Sequence, residues 1–373
     1  MEKQPKRNLS ESLDPIVSDA LKYHVFSACS VGILQVDKDN IFREIHHYGY
    51  TDRNERGGRV NDATVYDLAS LTKPLVTALA VMALAEEGKL SLDDEIGTFF
   101  PEMMDDMARI RIEMLLNHSS GLAAHRPYYQ TLSGYPLSER RKTIVRLICN
   151  DKLVFEPGCG TLYSDLGFII LGYLVEKLSG RSLGEFWKVE IAQPMGIQSE
   201  LLFPGPEGFG ADICAVTGIC GWSKRILCGI VHDENCRMLG GTAGHAGLFG
   251  TVRGVLSLVE HLYQQYRGKS RHPAYSGSTL KKFLTRRRES TWTYGFDTPS
   301  PGQSSSGRFF SPRTIGHLGF TGTSFWLDLD QGVAIVLLTN RVLMGEDPTA
   351  IRKFRPLLHD YIMEHLLEKQ RPY

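Results

Sequence analysis

Tyr66-Asp67-Leu68-Ala69-Ser70-Leu71-Thr72-Lys73-Pro74-Leu75-Val76-Thr77-Ala78-Leu79-Ala80-Val81-Met82-Ala83-Leu84-Ala85 sets a short polar tetrad at the head of an almost unbroken apolar run. Positions i and i+3 share one face of a helix, so Ser70 and Lys73 are expected to meet. A serine hydroxyl becomes a useful nucleophile when a neighbouring base takes its proton. A lysine desolvated against an apolar helix can be lowered toward neutral pKa and serve as that base. The helix start also aims backbone N–H groups at whatever the serine attacks. A helix that is apolar on nearly every side is normally buried, and a buried lysine needs a partner or a purpose.

The same S-x-x-K spacing recurs at Ser278-Thr279-Leu280-Lys281. There it is followed by Lys282, Arg286 and Arg287, the pattern of a capped, solvated, basic helix. The second copy is therefore expected to be structural. Context, not the tetrad itself, separates the two.

Outward from the tetrad, the chain reads as strands at both ends with helices between. Residues 11–23 are expected to be helical, and 27–36 and 41–50 to form a hairpin through the turn Asp37-Lys38-Asp39-Asn40. Short helices are expected at 111–117, 137–150, 165–179 and 183–193, then further helices at 252–266 and 278–287. A Gly/Ser/Pro-rich loop at 299–307 precedes strands at 315–319, 324–328 and 333–340, and an amphipathic helix at 350–369 closes the pattern. The expected class is α+β: one antiparallel sheet built from N- and C-terminal segments, flanked by helices, with a mostly helical insertion. The expected division is 1–95 plus 251–373 for the sheet portion and 96–250 for the insertion, with the active site between them.

Composition narrows the function classes. A length of 373 residues suits two domains or one large domain with an insertion. With 42 basic against 42 acidic residues there is no electrostatic footprint for nucleic acid or an anionic membrane. Glu11, Asp14 and Asp19 stand where a leader would carry its apolar segment, and no stretch reads as a bilayer span. Seven scattered cysteines without a C-x-x-C pair argue against a disulfide framework or zinc ribbon. A cytoplasmic setting is expected, with a small-molecule or peptide substrate and no cofactor.

Two later segments extend the Ser70 chemistry. Gly158-Cys159-Gly160-Thr161-Leu162-Tyr163-Ser164-Asp165-Leu166-Gly167-Phe168 is a glycine-rich loop leading into a predicted helix. Gly316-His317-Leu318-Gly319-Phe320-Thr321-Gly322-Thr323-Ser324 begins on a predicted strand. With Ser70-Leu71-Thr72-Lys73 these resemble, in order and context, the three active-site elements of the serine β-lactamase and penicillin-binding-protein superfamily. The likeness is closest to the class C β-lactamase-like branch, which also contains esterases and D-amino-acid peptidases. Arg111-Ile112-Glu113-Met114-Leu115-Leu116-Asn117-His118-Ser119-Ser120-Gly121-Leu122 resembles that branch's helix and turn after the nucleophile. The likeness runs over 27–341.

The resemblance implies roles. Ser70 would attack a carbonyl to give an acyl-enzyme with Lys73 beside it, Tyr163 would help move protons, and water would release the acyl group. The oxyanion donors would be the backbone N–H groups of Ser70 and of Phe320, next to Gly319. His317 fills the motif's cationic position, facing the substrate or the tyrosine. Two departures stand out. The branch usually reads Tyr-x-Asn where this chain has Asp165, an extra negative charge that favours a protonated Lys73 or repels a substrate carboxylate. Leu318 replaces the usual hydroxyl of the third element, so recognition of a free C-terminal carboxylate is expected to weaken. A parse of Ser164-Asp165-Leu166 as a degraded Ser-Asp-Asn element suits the long helical stretch after Ser70 less well.

Rival motifs are poorer. His232, Asp233 and His245 lack metal-ligand spacing, so no metal is expected. Gly268-Lys269-Ser270 lacks the first glycine of a P-loop, and there is no G-x-S-x-G elbow. The expected function is a serine hydrolase cleaving an amide or ester: a muropeptide-like peptide, a small ester or a β-lactam. The alternative from another class is a non-catalytic binding or regulatory module that keeps the fold.

Overall fold

Val333-Ala334-Ile335-Val336-Leu337-Leu338 is apolar at every position because both of its faces are covered. In the computed structural model, which describes residues 9–370 apart from 39, 54–56, 102, 104, 206, 211, 288 and 289, this run is the middle of a five-stranded sheet. The strands are β1 (Ala28–Asp37), β2 (Asn40–Gly49), β3 (Thr314–Leu318), β4 (Ser324–Asp328) and β5 (Val333–Thr339). Their order is β2-β1-β5-β4-β3, with every neighbour antiparallel. Chain ends thus meet in one sheet, as the pattern of strands predicts. The stretch 1–8, part of the leader search, lies outside the described residues, as does Asp39 of the predicted turn.

The helices that matter here are α1 (Leu9–Lys22), α2 (Leu79–Glu86), α3 (Asp165–Ser179), α4 (Val252–Tyr266), α5 (Gly277–Leu284) and α6 (Thr349–Gln370). Alternation along β5 sorts the two faces of the sheet. Val333, Ile335 and Leu337 pack with Leu13 and Val17 of α1 and Leu358 and Ile362 of α6. Ala334, Val336 and Leu338 turn the other way, into the core that holds Val255, Leu256 and Val259 of α4. Gly32 lets α4 approach: a Cβ there would lie 2.9 Å from Val252.

The segment after Ser70 is not a uniform helix. It tightens into a 3-10 turn at Ala69–Leu71, widens to a π-helical stretch at Lys73–Ala78, and only then becomes α2. Pro74 has no N–H to give to the preceding turn, which explains the widening. The Leu75 carbonyl is taken instead by the Trp187 indole N–H at 2.8 Å. One correction follows. The stretch Ala69–Glu86 has the length and mean hydropathy of a membrane span, but 83% of it is buried inside the protein, so it serves as a core helix.

Candidate active site

A buried carboxylate fixes the turn before Ser70. Asp67 accepts the Ala69 N–H at 2.9 Å and, with its other oxygen, the His232 N–H at 2.8 Å. Ala69 is held at a φ of 48°, in the left-handed region that non-glycine residues rarely adopt. Thr72 closes the turn, donating to the Ala69 carbonyl at 2.6 Å and accepting the Leu248 N–H at 3.1 Å. Ser70 therefore sits at the apex of a tight, pinned turn.

Lys73 is completely buried and its ammonium has three acceptors. Nζ donates to Ser70 Oγ at 2.9 Å, to Asp165 Oδ1 at 2.7 Å and to the His245 carbonyl at 3.0 Å. Burial by itself would lower the lysine pKa, but Asp165, seconded by Tyr163, outweighs it and the pKa is raised. Burial would likewise raise the Asp165 carboxyl, and Lys73, helped by His125, holds it far below the usual carboxylate range. Both partners point to an ion pair, Lys73 as ammonium and Asp165 as carboxylate. The apolar surroundings alone predict a lysine near neutral pKa; the acid brought in by α3 reverses that.

The start of α3 places Tyr163 beside the pair. Ser164 caps α3 through its hydroxyl, which accepts the Gly167 N–H at 3.4 Å, and its own N–H donates to His118 Nδ1 at 3.1 Å. The Tyr163 ring lies 4.9 Å from Lys73 Nζ, which puts the phenol beside the Ser70–Lys73 pair. Burial raises the phenol above its ordinary value although Lys73 pulls it down. The ring rests on His118, centroids 4.6 Å apart, with Trp292 at 5.7 Å.

The end of β3 supplies the opposite wall. Thr321 Oγ1 donates to the Asp67 carbonyl at 2.7 Å and Thr323 Oγ1 to the Leu68 carbonyl at 3.2 Å, tying the turn after β3 to the segment before Ser70. Only glycine fits at 319, where a Cβ would lie 2.9 Å from the Leu68 carbonyl oxygen. This brings the Phe320 backbone beside the nucleophile turn. His317 is buried, with Nδ1 bonded to the Leu318 carbonyl at 2.8 Å, which assigns the proton to Nδ1. Burial, reinforced by Lys73, pushes its imidazole down to about 3. The cationic position of the third motif is therefore neutral at pH 7.

These groups share one cavity of about 740 Å³, lined by Ser70, Tyr163, Asp165, His317, Gly319 and Phe320. A profile of the Beta-lactamase family matches residues 38–357. The chain belongs to the beta-lactamase family. An Escherichia coli (strain K12) protein named "Putative D-alanyl-D-alanine carboxypeptidase" is 30% identical over 311 residues, 77% of this chain and 71% of that protein. A penicillin-binding protein homologue from Pyrococcus abyssi superposes with a TM-score of 0.74 at 21% identity, covering 97% of this chain and 78% of that one. The D-amino acid amidase of Ochrobactrum anthropi SV3 gives 0.73 at 17% identity over 98% and 100%. Family membership makes this chain a serine hydrolase by type.

Within this beta-lactamase-family site, several residues carry no motif signal. Asp67 reads as an ordinary strand-end acid, and His118 is hidden in a segment matched only for its helix and turn. Trp292 and Asp297 come from a stretch with no recognised element. The trio His232, Asp233 and His245 does not assemble as a metal site: His245 Nε2 bonds Asp233 at 2.8 Å, and the His232 ring lies against Phe320 instead. A different trio, His125, Asp165 and Asp233, has ligating atoms within 4.8 Å of one another. Asp165 already serves the Lys73 ammonium at 2.7 Å, so a dication there would face a second positive charge across one carboxylate. Arg341, Arg352 and Arg355 also line the cavity, with Arg341 Nε donating to the Phe320 carbonyl at 2.7 Å and Arg355 to the Gly319 carbonyl at 2.7 Å. Arg355, brought down to about 9 by burial and by the other two, is still cationic at pH 7.

Proposed function

We propose that this protein cleaves an amide or ester through an acyl-enzyme on Ser70, with a short peptide or peptide-like ester ending in a free carboxylate as its substrate. The observation that carries the reading is the 2.9 Å contact of Lys73 Nζ with Ser70 Oγ, beside Tyr163 and inside the cavity. The arginines that line the cavity favour the carboxylate, offsetting what Asp165 and Leu318 remove. The name of the Escherichia coli relative agrees with a peptide ending in a D-residue. The cavity then lies between the sheet portion, 1–95 plus 251–373, and the helical insertion, 96–250.

The protons set the order of events. At rest Lys73 is an ammonium and Tyr163 a phenol, so one proton must leave the pair before either can accept one from Ser70. Ser70 Oγ then attacks the carbonyl carbon, and the carbonyl oxygen, now an oxyanion, is held by the N–H groups of Ser70 and Phe320. Collapse of the tetrahedral species expels the amine or alcohol, which takes its proton through Tyr163. Water repeats the sequence on the acyl-enzyme and frees Ser70.

A specific observation favours the rival, a binding module without turnover: the Asp165 ion pair keeps Lys73 from acting as a base. The two readings part on one experiment. Incubation with a fluorophosphonate or a penicillin, followed by peptide mass spectrometry, is expected to place the adduct on Ser70 and to lose it in Ser70→Ala. An adduct elsewhere, or none up to alkaline pH alongside no turnover on a panel of esters and D-amino-acid peptides, leaves the binding module.

A further inference from the structure

The cavity has a second acidic group, Asp297, that the chemistry above does not use. Residues 291–298 form a miniature hairpin, closed by Thr293 N–H to the Phe296 carbonyl at 2.9 Å and Thr298 N–H to the Thr291 carbonyl at 2.8 Å. Gly295, at a φ of 95°, makes the turn. Trp292 and Asp297 are cross-strand partners in it, which sets their side chains next to each other. Asp297 also exchanges two backbone bonds of 2.8 Å with Gly316, so the hairpin is annealed to the edge of β3 one residue before His317. Both residues line the cavity.

Among the described residues the carboxylate has no ion-pair partner, and its one hydrogen bond there comes from the adjacent Thr298 N–H at 2.9 Å. The charged group acting on it is Arg286, whose guanidinium donates to the carbonyls of Ser290 and Pro299. Burial consequently pushes the Asp297 carboxyl up to about 7. Beside it, the Trp292 ring presents a π face whose neighbours are Tyr163, His317 and His118, all uncharged at neutral pH. A half-desolvated carboxylate next to an indole is the combination that receives an organic cation.

We infer that Asp297 and Trp292 form a subsite for an ammonium group carried by the leaving group of the substrate. The side of the cavity follows from Trp292 packing on Tyr163, the residue that returns a proton to the leaving group; that assignment rests on the reading in the preceding section. The substrate class narrows to peptides or esters whose departing part is basic, such as a C-terminal residue with an amino side chain. Asp297 and Trp292 are specificity residues and take no part in bond making.

Choline and its uncharged isostere 3,3-dimethylbutan-1-ol test this, because they differ in little but the positive charge. Each is added as a competitor while a neutral fluorophosphonate labels Ser70, and protection is expressed against the same protein's unprotected rate. Choline is expected to protect at a concentration about tenfold lower than the isostere, the worth of roughly 1.4 kcal/mol from charge and cation–π contact. Asp297→Asn removes that advantage and Asp297→Glu retains part of it, with thermal melts verifying that each variant is folded. Equal protection by the two competitors in the unaltered protein, or an advantage that survives in folded Asp297→Asn, overturns the inference. If Ser70 takes no label, the acyl-transfer reading fails instead, and calorimetric titration of choline and the isostere into the unaltered protein still decides the subsite.

Discussion

Ser70-Leu71-Thr72-Lys73 and Ser278-Thr279-Leu280-Lys281 have the same spacing and opposite fates. In the first, the lysine is wholly buried and its ammonium touches Ser70, Asp165 and the His245 carbonyl. In the second, Ser278 and Lys281 are exposed, and the lysine lies 5.6 Å over the Tyr266 ring. The cap of α5 is Ser276, which accepts the Thr279 N–H at 3.2 Å, while Ser278 only shares a hydrogen bond with it. Leu280, Phe283 and Leu284 are buried, so α5 is amphipathic rather than solvated all round. The tetrad specifies proximity along a helix. Chemistry requires that the rest of the fold remove water from the lysine and bring an acid to it.

Paired substitutions can break this contrast. Ser70→Ala is expected to cut acyl transfer on the order of 10⁴- to 10⁶-fold, whereas Ser278→Ala leaves it unchanged; similar losses in both would erase the distinction. Lys73→Met is expected to slow Ser70 labelling about 10²- to 10⁴-fold. By leaving the partly buried Asp165 without its ammonium, it also lowers unfolding stability by about 2 kcal/mol. Lys281→Met should stay within about 0.5 kcal/mol in the same urea titration, and a comparable cost there would mean that burial is not what separates the lysines.

The ion pair sharpens the comparison through pH. Because Asp165 raises the Lys73 pKa, the ammonium persists at neutrality and Ser70 labelling is expected to climb as pH rises into the alkaline range. Asp165→Asn removes the charge that favours the ammonium, so Lys73 loses its proton at lower pH and the rising limb moves toward neutrality. A limb that does not move would detach Asp165 from the proton inventory. A modest effect belongs to the cap beside the second copy: Ser276→Ala costs about 1 kcal/mol through the lost cap of α5 and leaves labelling as it was.

The sheet was legible because strand-length apolar runs bounded by turn residues mark β1 and β5, which pair although they lie near opposite ends of the sequence. The Ser70–Lys73 contact was legible from helical spacing, and Tyr163 and Asp165 from the glycine-rich loop that starts α3. Charge states were not fully legible. Apolar neighbours pull Lys73 one way and Asp165 the other, and only their distance decides the outcome. His317 occupies a cationic position by pattern, yet is neutral because it is buried near an ammonium. Trp292 and Asp297 were invisible because so short a hairpin has no periodicity, and its meaning comes from the strand edge it lands on.

The hydroxyls of Thr321 and Thr323, which hold the carbonyls of Asp67 and Leu68, lie more than 250 positions further along the chain. Asn340 likewise accepts the N–H groups of Ser27 and Ala28, joining the first strand to the last. Such pairings are slow to form and dominate the contact order of the sheet. On the ribosome, the turn that presents Ser70 is therefore left without these two ties until Thr321 and Thr323 have been added. Completion of the nucleophile turn is thus a late event in folding, because it waits on hydroxyls far along the sequence.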